Sequence, residues 1–501
     1  MQPIDDLLNK VTMYRLVVYV LSALATIAIL FAHFGRFAGR PESMVLSLVI
    51  ILGSAYVTDR GFARLFKVPS NMETWLITGL IIFLIVPAAN NKAAYLALAL
   101  AAALSSASKF LLARHGKHVF NPAAFAAAFL STWGFWPATW WIGSSKFWPF
   151  TLLLGLLVVR KMRRFSLFAS FVVISIVLQT ALLLHGHQPL ATSMKQAVLA
   201  SPLIFLSTIM LIEPATMPPR RSLQIVFAAL VATLYVTGWK IGPLIIVPEV
   251  ALLFGNLFAY LVSPKFRVQL VLKEVHKISG RIYDYVFMPD VHFQFLPGQY
   301  MEWTLAGVPY DSRGNRRTFT IASSPTEEEV HLGLKYYEPS STYKATFYEL
   351  KPGDIVYASQ LAGNFTLNGN EKKKLVFIAG GIGITPFRSM VKYLTDNNVS
   401  CDVVLLYLVS DPQELAYAHE FKQAAKIGVK TIPVITNPSK HAPGAVSAKL
   451  SPHLLSQAIP DYAERVFYIS GSNHFVDVAK SQLRSLDVPR RHIKTDHFSG
   501  Y

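Results

Sequence analysis

Residues Arg316–Pro325 read RRTFTIASSP, and this stretch decides how the second half of the chain is built. Aromatic and β-branched residues alternate with polar ones, which is strand chemistry. On a strand Arg317 and Phe319 share one face while Thr320 points to the other. Yet the sequence before it is among the greasiest a chain can carry, so the two halves need separate readings.

The chain has 501 residues, of which 52% are hydrophobic and 15% charged. That is too long for one typical domain. The average hides a split. Positions 12–262 are mostly apolar runs, whereas 267–501 mix strand-like and helix-like segments with ordinary charge. The boundary falls near Ser263–Phe266, which gives a membrane domain over 1–266 and soluble domains over 267–368 and 369–501. The net charge is +18, but many basic residues sit in short loops between apolar runs, where membrane topology requires them. No nucleic-acid partner is therefore expected. The single cysteine, Cys401, excludes an intrachain disulfide and any iron–sulfur cluster held by four thiolates, and no metal site is read. The first apolar run is long enough to span and no small-residue cleavage site follows, so no cleavable signal is expected.

Around the opening stretch, FRVQLVLKEVHKIS, IYDYVFMPD, GQYMEWTLA, VHLGLKYYE and DIVYASQLAG read as strands with turns between them. They predict a small antiparallel barrel over 267–368. Over 369–501 strands and helices alternate, which predicts a parallel α/β domain. Its first strand runs into AGGIGITP (Ala379–Pro386), which opens a helix at Thr385 and Pro386. Gly380, Gly381 and Gly383 allow the backbone to approach a pyrophosphate, and the helix start supplies amides.

The apolar half holds ten candidate spans, near 15–34, 43–58, 74–88, 93–113, 121–137, 147–159, 165–184, 198–212, 221–238 and 241–262. Loop charges support the count. Lys10, Arg15, Arg60, Arg64, Lys67, Lys109, Arg114, Lys117, Arg160, Lys161, Arg163, Arg164, Arg220 and Arg221 fall on one side. Only Arg36, Arg40, Lys92, Lys146, Lys195 and Lys240 fall on the other. Both termini are then cytoplasmic. Prolines Pro87 and Pro122 recur at nearly the same separation as Pro214 and Pro248. An offset of five helices makes such halves inverted repeats, whose paired breaks mark a midplane site. Glu213 and Glu249 lie beside two of the breaks, and a carboxylate in an apolar span is a functional suspect. Asn121 is a third, weaker candidate for an ion or quinone path.

GKHVFNPAAFAAAF (Gly116–Phe129) and the segment from Leu211 to Pro264 resemble the flavin-carrying membrane subunits of the sodium-pumping NADH:quinone reductase and of the Rnf complex. The resemblance implies ten helices in two repeats over roughly 10–264, and Na⁺ or H⁺ movement. Those subunits bond FMN to a threonine in a serine–glycine–alanine–threonine-like motif. Here Thr139 and Thr216 follow alanine but lack the preceding glycine, so covalent FMN is not expected. That leaves a noncovalent FMN or riboflavin, or a quinone, as an occupant of the bundle.

Residues 267–501 resemble the ferredoxin–NADP reductase superfamily, whose flavin signature Arg-x-Tyr-Ser/Thr reads here Arg317-Thr318-Phe319-Thr320, with phenylalanine in the tyrosine's place. The resemblance implies that Arg317 neutralises the FAD pyrophosphate, Phe319 stacks on the isoalloxazine and Thr320 bonds near its N5. A second phosphate-binding element is expected at Ser341, Thr342 and Lys344. The glycine-rich turn would take NAD(P)H, and Ser470-Gly471 stands where the superfamily often has Cys-Gly by the nicotinamide. In the KTDHFSGY tail Asp496 would position nicotinamide or flavin, and Phe498 or Tyr501 would cover the other flavin face. Asp411, after the second strand of the α/β domain, would repel a 2′-phosphate, so NADH is expected over NADPH.

The leading expectation is a multi-pass flavoenzyme of the inner (cell) membrane with its soluble domains in the cytoplasm. It passes electrons from NADH through FAD to quinone or another membrane acceptor, directly or through a partner redox subunit. Two other readings stand beside it. A haem-dependent ferric reductase needs histidine pairs within spans, and His33, His115, His118, His185 and His187 form none. A transporter or redox sensor without turnover fits the repeated halves.

Overall fold

The computed structural model describes residues 4, 8, 11–66, 72–114, 117–199, 202–242, 244–263, 267–279, 281–305, 315–338, 340–367 and 369–498. They form two compact units, Met1–Phe266 and Arg267–Tyr501.

Apolar sequence can bury its backbone amides only by bonding them internally, and the first unit does so with helices. These are α1 (Met13–His33), α2 (Pro41–Leu65), α3 (Met72–Ile85), α4 (Lys92–Leu111), α5 (Pro122–Thr132), α6 (Trp148–Met162), α7 (Phe165–His185), α8 (Leu190–Leu199), α9 (Arg221–Thr237) and α10 (Pro248–Val262). A further helical piece, Leu203–Phe205, runs into a π turn over Leu206–Met210. Helix thus lies in every apolar stretch of the sequence. Among the described residues four helices, α1, α2, α4 and α7, are long and apolar enough to cross a membrane; α3, α5, α9 and α10 are shorter apolar helices. Proline accounts for much of the shortness. The α3 helix stops just before Val86-Pro87, and α5 and α10 each open on a proline.

The helices pack against one another in pairs. In the first half α1 lies against α3, α2 against α3 and α4, and α4 against α5. In the second, α6 lies against the 203–210 piece, α7 against α8 and α9, and α9 against α10. Across the halves α1 meets α6 and α5 meets α10. The approach of the π turn to α6 depends on Gly155, where a Cβ would stand 2.3 Å from Thr208 Oγ1.

The second unit has two sheets. Strands β1 (Val268–Ser279), β2 (Ile282–Pro289), β3 (Tyr300–Thr304), β4 (Arg316–Thr320), β5 (Val330–Lys335) and β6 (Ile355–Ala362) pair antiparallel in the order β4-β3-β6-β1-β2-β5. The sheet is a half-barrel, where the sequence predicts a small barrel. Among the described residues its end strands β4 and β5 do not pair with each other, but the chain leaving β4 bends over, and Ala322 N donates to His331 O at 2.9 Å.

Strands β7 (Lys374–Gly380), β8 (Asp402–Val409), β9 (Val429–Ile435), β10 (Val446–Ser447), β11 (Val466–Ser472) and β12 (Ile493–Phe498) form a parallel sheet in the order β10-β9-β8-β7-β11-β12. Its helices are α12 (Thr385–Asp396), α13 (Ala418–Ala424), α14 (Pro452–Ala458) and α15 (Asn473–Ser485), while α11 (Thr342–Tyr348) belongs to the half-barrel. Near-continuous apolar runs in β7, β8 and β11 agree with burial on both faces. The helix after β8 begins at Ala418. Buried Tyr417 takes a left-handed backbone (φ 59°), and its hydroxyl donates to Asp284 Oδ1 at 3.0 Å.

Charge fastens the start of β11. Arg465 Nε donates to Asp461 at 2.7 Å and its fork grips Asp402, while Lys374 lies 3.2 Å from Asp461. The hydrogen bond from Arg465, and then that from Lys374, lowers the Asp461 carboxyl from 3.8 to about 2. This carboxyl is mostly solvated, so the effect on stability is modest. A group held lower in the folded state stabilises fully above its unfolded value and loses that contribution as the pH falls through its folded one. Unfolding of the full chain, followed from about pH 5 to pH 2, is therefore expected to show a loss of stability that Asp461→Asn diminishes.

Candidate functional site

Strand β4 delivers its residues as the alternation requires: Thr318 is exposed, Arg317 and Phe319 half-buried, and Thr320 buried. Arg317 and Phe319 converge on Tyr343 of α11. The guanidinium carbon lies 5.0 Å from the tyrosine ring centre, and the two aromatic rings stand 6.0 Å apart. Tyr343 is itself fixed by donating to Trp303 O at 3.2 Å. Burial, only partly offset by Arg317, pushes its phenol well above the ordinary value, so it stays a neutral donor. Sequence reading passed over Tyr343 although it lies next to Thr342. Its signal was the adjacency of an aromatic to a hydroxyl pair at a helix start.

Ser341 caps α11 by accepting from Lys344 N at 3.3 Å, and Thr342 opens the helix. The buried Lys344 ammonium donates to Lys335 O at 3.2 Å and lies 5.5 Å from the Tyr337 ring. Thr320 Oγ1 is buried with no hydrogen-bond partner among the described residues. A buried hydroxyl left so costs stability unless a ligand satisfies it. With the Arg317 fork, the Phe319 ring and this hydroxyl on one strand, the residues present fit an isoalloxazine carrying a pyrophosphate.

The second cluster stands at the carboxyl ends of β7 and β11. Gly380 ends β7, and Gly381–Ile384 form a tight turn into α12, with Gly381 at φ 55°. Gly383 lies so close to β11 that a Cβ would stand 2.4 Å from Ser470 O. Thr385 closes the turn by donating to Ile382 O at 3.2 Å, and Pro386 is buried in the first turn of α12. Ser470 is fully buried, and its Oγ has no partner among the described residues. The strand pairing sets Ser470 beside Asp496, Gly471 beside His497 and Ser472 beside Phe498. The tail that the sequence offered only as an acidic and aromatic ending is thus a strand of the sheet. Asp496 and Phe498 are half-buried, and Tyr501 lies outside the described residues. The glycine cradle and the orphan Ser470 hydroxyl fit a dinucleotide.

Asp411 stands where expected, after β8, but it is not alone. Lys440 Nζ lies 2.8 Å from Asp411 Oδ2, and the hydrogen bond from Lys440 holds the carboxyl below its ordinary value. Lys440 is distant in sequence and was invisible before β9 set it beside β8.

The first unit gathers its polar groups at two places. At one, Glu213 accepts from Asn121 Nδ2 at 2.8 Å and Thr216 Oγ1 at 3.0 Å, and lies 3.2 Å from His118 Nε2. Asn121 N donates to Asn256 Oδ1 at 2.8 Å, which ties the start of α5 to α10. Asn121 and Glu213 form a polar end of a cavity of about 70 Å³, whose apolar walls include Val17, Ile81, Val158 and Ile209. At the other place Glu249 is enclosed. Its oxygens accept from Ser131 Oγ at 2.7 Å and Trp140 Nε1 at 2.8 Å, with Trp140 in a left-handed conformation. A buried pair absent from the sequence reading, Asp59 and Lys109, lies 3.8 Å apart between α2 and α4.

Residues 377–481 match the family model of the oxidoreductase NAD-binding domain. The NADH oxidoreductase HCR of Escherichia coli (strain K12) is 25% identical over 218 residues, covering 43% of this chain and 65% of that protein. A flavohemoprotein of Oceanobacillus iheyensis is 25% identical over 244 residues, covering 46% of this chain and 59% of its own. The chain thus spans less than two thirds of the length of either relative. The flavohem-like FAD/NAD-binding domain of nitric oxide dioxygenase from Vibrio cholerae O1 biovar El Tor superposes with a TM-score of 0.41 at 22% identity, over 46% of this chain and 98% of that one.

If Gly383 is needed for the approach to Ser470, Gly383→Val is expected to weaken NADH binding at least about tenfold, a loss of roughly 1.4 kcal/mol. Flavin content should not change. Calorimetric titration of the purified chain checks the first, and its visible absorbance the second.

Proposed function

We propose that this chain, whose C-terminal unit is a ferredoxin–NADP reductase-like FAD/NAD(P)-binding module, is a membrane-bound flavoprotein oxidoreductase. It takes electrons from NAD(P)H and delivers them to an acceptor in the membrane, a quinone or a flavin held by the helical unit. The observation that carries the reading is the pair of buried hydroxyls without a partner among the described residues, Thr320 on the flavin strand and Ser470 beside the glycine turn. Both stand in a unit whose NAD-binding part matches a known oxidoreductase domain.

Arg317 and Tyr343 would hold FAD at its phosphate side, Phe319 at its ring face, and Thr320 would donate at the ring edge. Gly380, Gly381 and Gly383 would let the nucleotide settle on the start of α12, with Ser470 and Asp496 beside the nicotinamide. Bound flavin supplies the change from paired to single electrons, which no side chain here can perform. The protein's part is to orient the rings and keep water from them.

Several features support a membrane role for the first unit: the four long apolar helices, the basic residues gathered on one side, and the matched packing of α1–α5 and α6–α10. That packing favours inverted repeats in the cell (inner) membrane, with the reductase module in the cytoplasm. Glu213 at the cavity edge is the residue best placed to exchange a proton with an occupant, because His118 beside it is partly exposed. Coupled Na⁺ or H⁺ movement and a partner redox subunit belong to the same proposal.

Acid precipitation of the purified chain is expected to release one FAD per chain and leave no flavin attached. In liposomes NADH should reduce a lipid-soluble quinone. A colourless chain, or one that reduces only water-soluble dyes, would sink the reading. Glu213→Gln should slow quinone reduction at least about tenfold while ferricyanide reduction by NADH stays at its wild-type rate. The Asp411–Lys440 pair gives a separate expectation. NADH should be preferred over NADPH, Lys440→Ala should widen that preference, and Asp411→Arg should reverse it in steady-state kcat/KM.

A further inference from the structure

The helix that opens the nucleotide site is fastened to the chain that leaves the flavin strand. Arg388, one turn into α12, has a side chain only 4% exposed. Its Nη1 donates to Ala322 O at 3.1 Å and to Glu327 Oε2 at 2.6 Å, and its Nη2 donates to Glu327 Oε1 at 3.0 Å. Glu420 of α13 lies 3.3 Å from Nη2. The next residue, Ser389, donates to Ser323 O at 2.6 Å. Ala322 follows Thr320 by two positions, and Arg388 follows Thr385 by three. The flavin strand and the nucleotide turn are therefore joined by the planar Arg388 fork, which fixes two acceptors in one plane, with the Ser389 hydroxyl beside it.

We infer that Arg388 is a positioning residue for hydride transfer: by gripping Ala322 O and Glu327 together it fixes how far the flavin strand stands from the nucleotide turn. The inference rests on the reading that this unit binds FAD and NAD(P)H. Hydride transfer moves two electrons and one proton from reduced nicotinamide to oxidised flavin and leaves oxidised nicotinamide behind. Its rate falls steeply with the separation of the reacting atoms, and a displacement near 1 Å costs roughly a hundredfold. Lysine in place of Arg388 keeps the charge but cannot hold two acceptors in a plane. Glutamine in place of Glu327 keeps the shape and removes the charge that completes the fork.

The test uses the full chain in detergent with Arg388→Lys, Glu327→Gln and Arg388→Met. In the first two, FAD content should equal wild type and NADH affinity should stay within about twofold. The limiting rate of flavin reduction in rapid mixing should fall roughly ten- to a hundredfold. The long-wavelength charge-transfer absorbance of the NADH complex should weaken. In protein stripped of FAD, amide hydrogen exchange should quicken over 321–327 and 385–392 while β7 and β8 keep their protection. Wild-type reduction rates and an unchanged charge-transfer band in Arg388→Lys and Glu327→Gln overturn the inference and leave Arg388 a stabilising contact. Arg388→Met tests the whole fork, and should it fail to fold, the two milder variants decide. A wild-type chain that binds no FAD overturns the underlying reading instead, and the two failures are told apart by its colour.

Discussion

A carbonyl that leaves no room for a side chain governs the nucleotide end of the C-terminal unit. Ser470 O would stand 2.4 Å from any Cβ at Gly383, so only glycine lets the turn press onto β11. Because the turn sits there, α12 begins at the sheet's carboxyl edge beside the buried Ser470, whose hydroxyl has no partner among the described residues. From α12 the constraint passes outward. Arg388 and Ser389 carry it to Ala322 and Ser323, and so to Thr320. One steric exclusion thus fixes the relation of two binding surfaces built by different sheets.

Much of this was legible in the sequence. The six strands of the half-barrel and the alternating segments of the α/β domain announce themselves by period and by turn residues, and the structure places them where the spacing predicts. What the sequence could not give were contacts that only folding creates. Lys440 reaches Asp411 because β8 and β9 are neighbours, a pairing that no local pattern encodes. The strand β12 carries Asp, His and Lys, and it pairs because β11 offers an open edge. Tyr417 takes a left-handed backbone just ahead of α13 and reaches Asp284, a contact between distant segments that local propensity does not encode.

In the helical unit both carboxylates were visible as anomalies in apolar sequence, but their surroundings were not. Glu249 is surrounded by donors from a loop and from α5, and both of its oxygens are occupied. Glu213 is equally well bonded yet borders a cavity and a partly exposed histidine. The two residues therefore differ in access rather than in chemistry. Asp59 and Lys109 add a pair whose desolvation is expensive unless each supports the other. Lys109 also donates to Thr74 O, which spreads the compensation over α3.

The backbone of Tyr417 has a longer consequence. Glycine or asparagine would relax its left-handed conformation, but neither carries a phenol to Asp284. Among the described residues Asp284 would then keep His331, at 2.7 Å, against its buried charge. Neither position can drift alone without a cost at the other. Across descendants of this chain the two should be replaced together or kept together, so the seam behaves as a single inherited character, although one half lies on strand β2 and the other just ahead of helix α13.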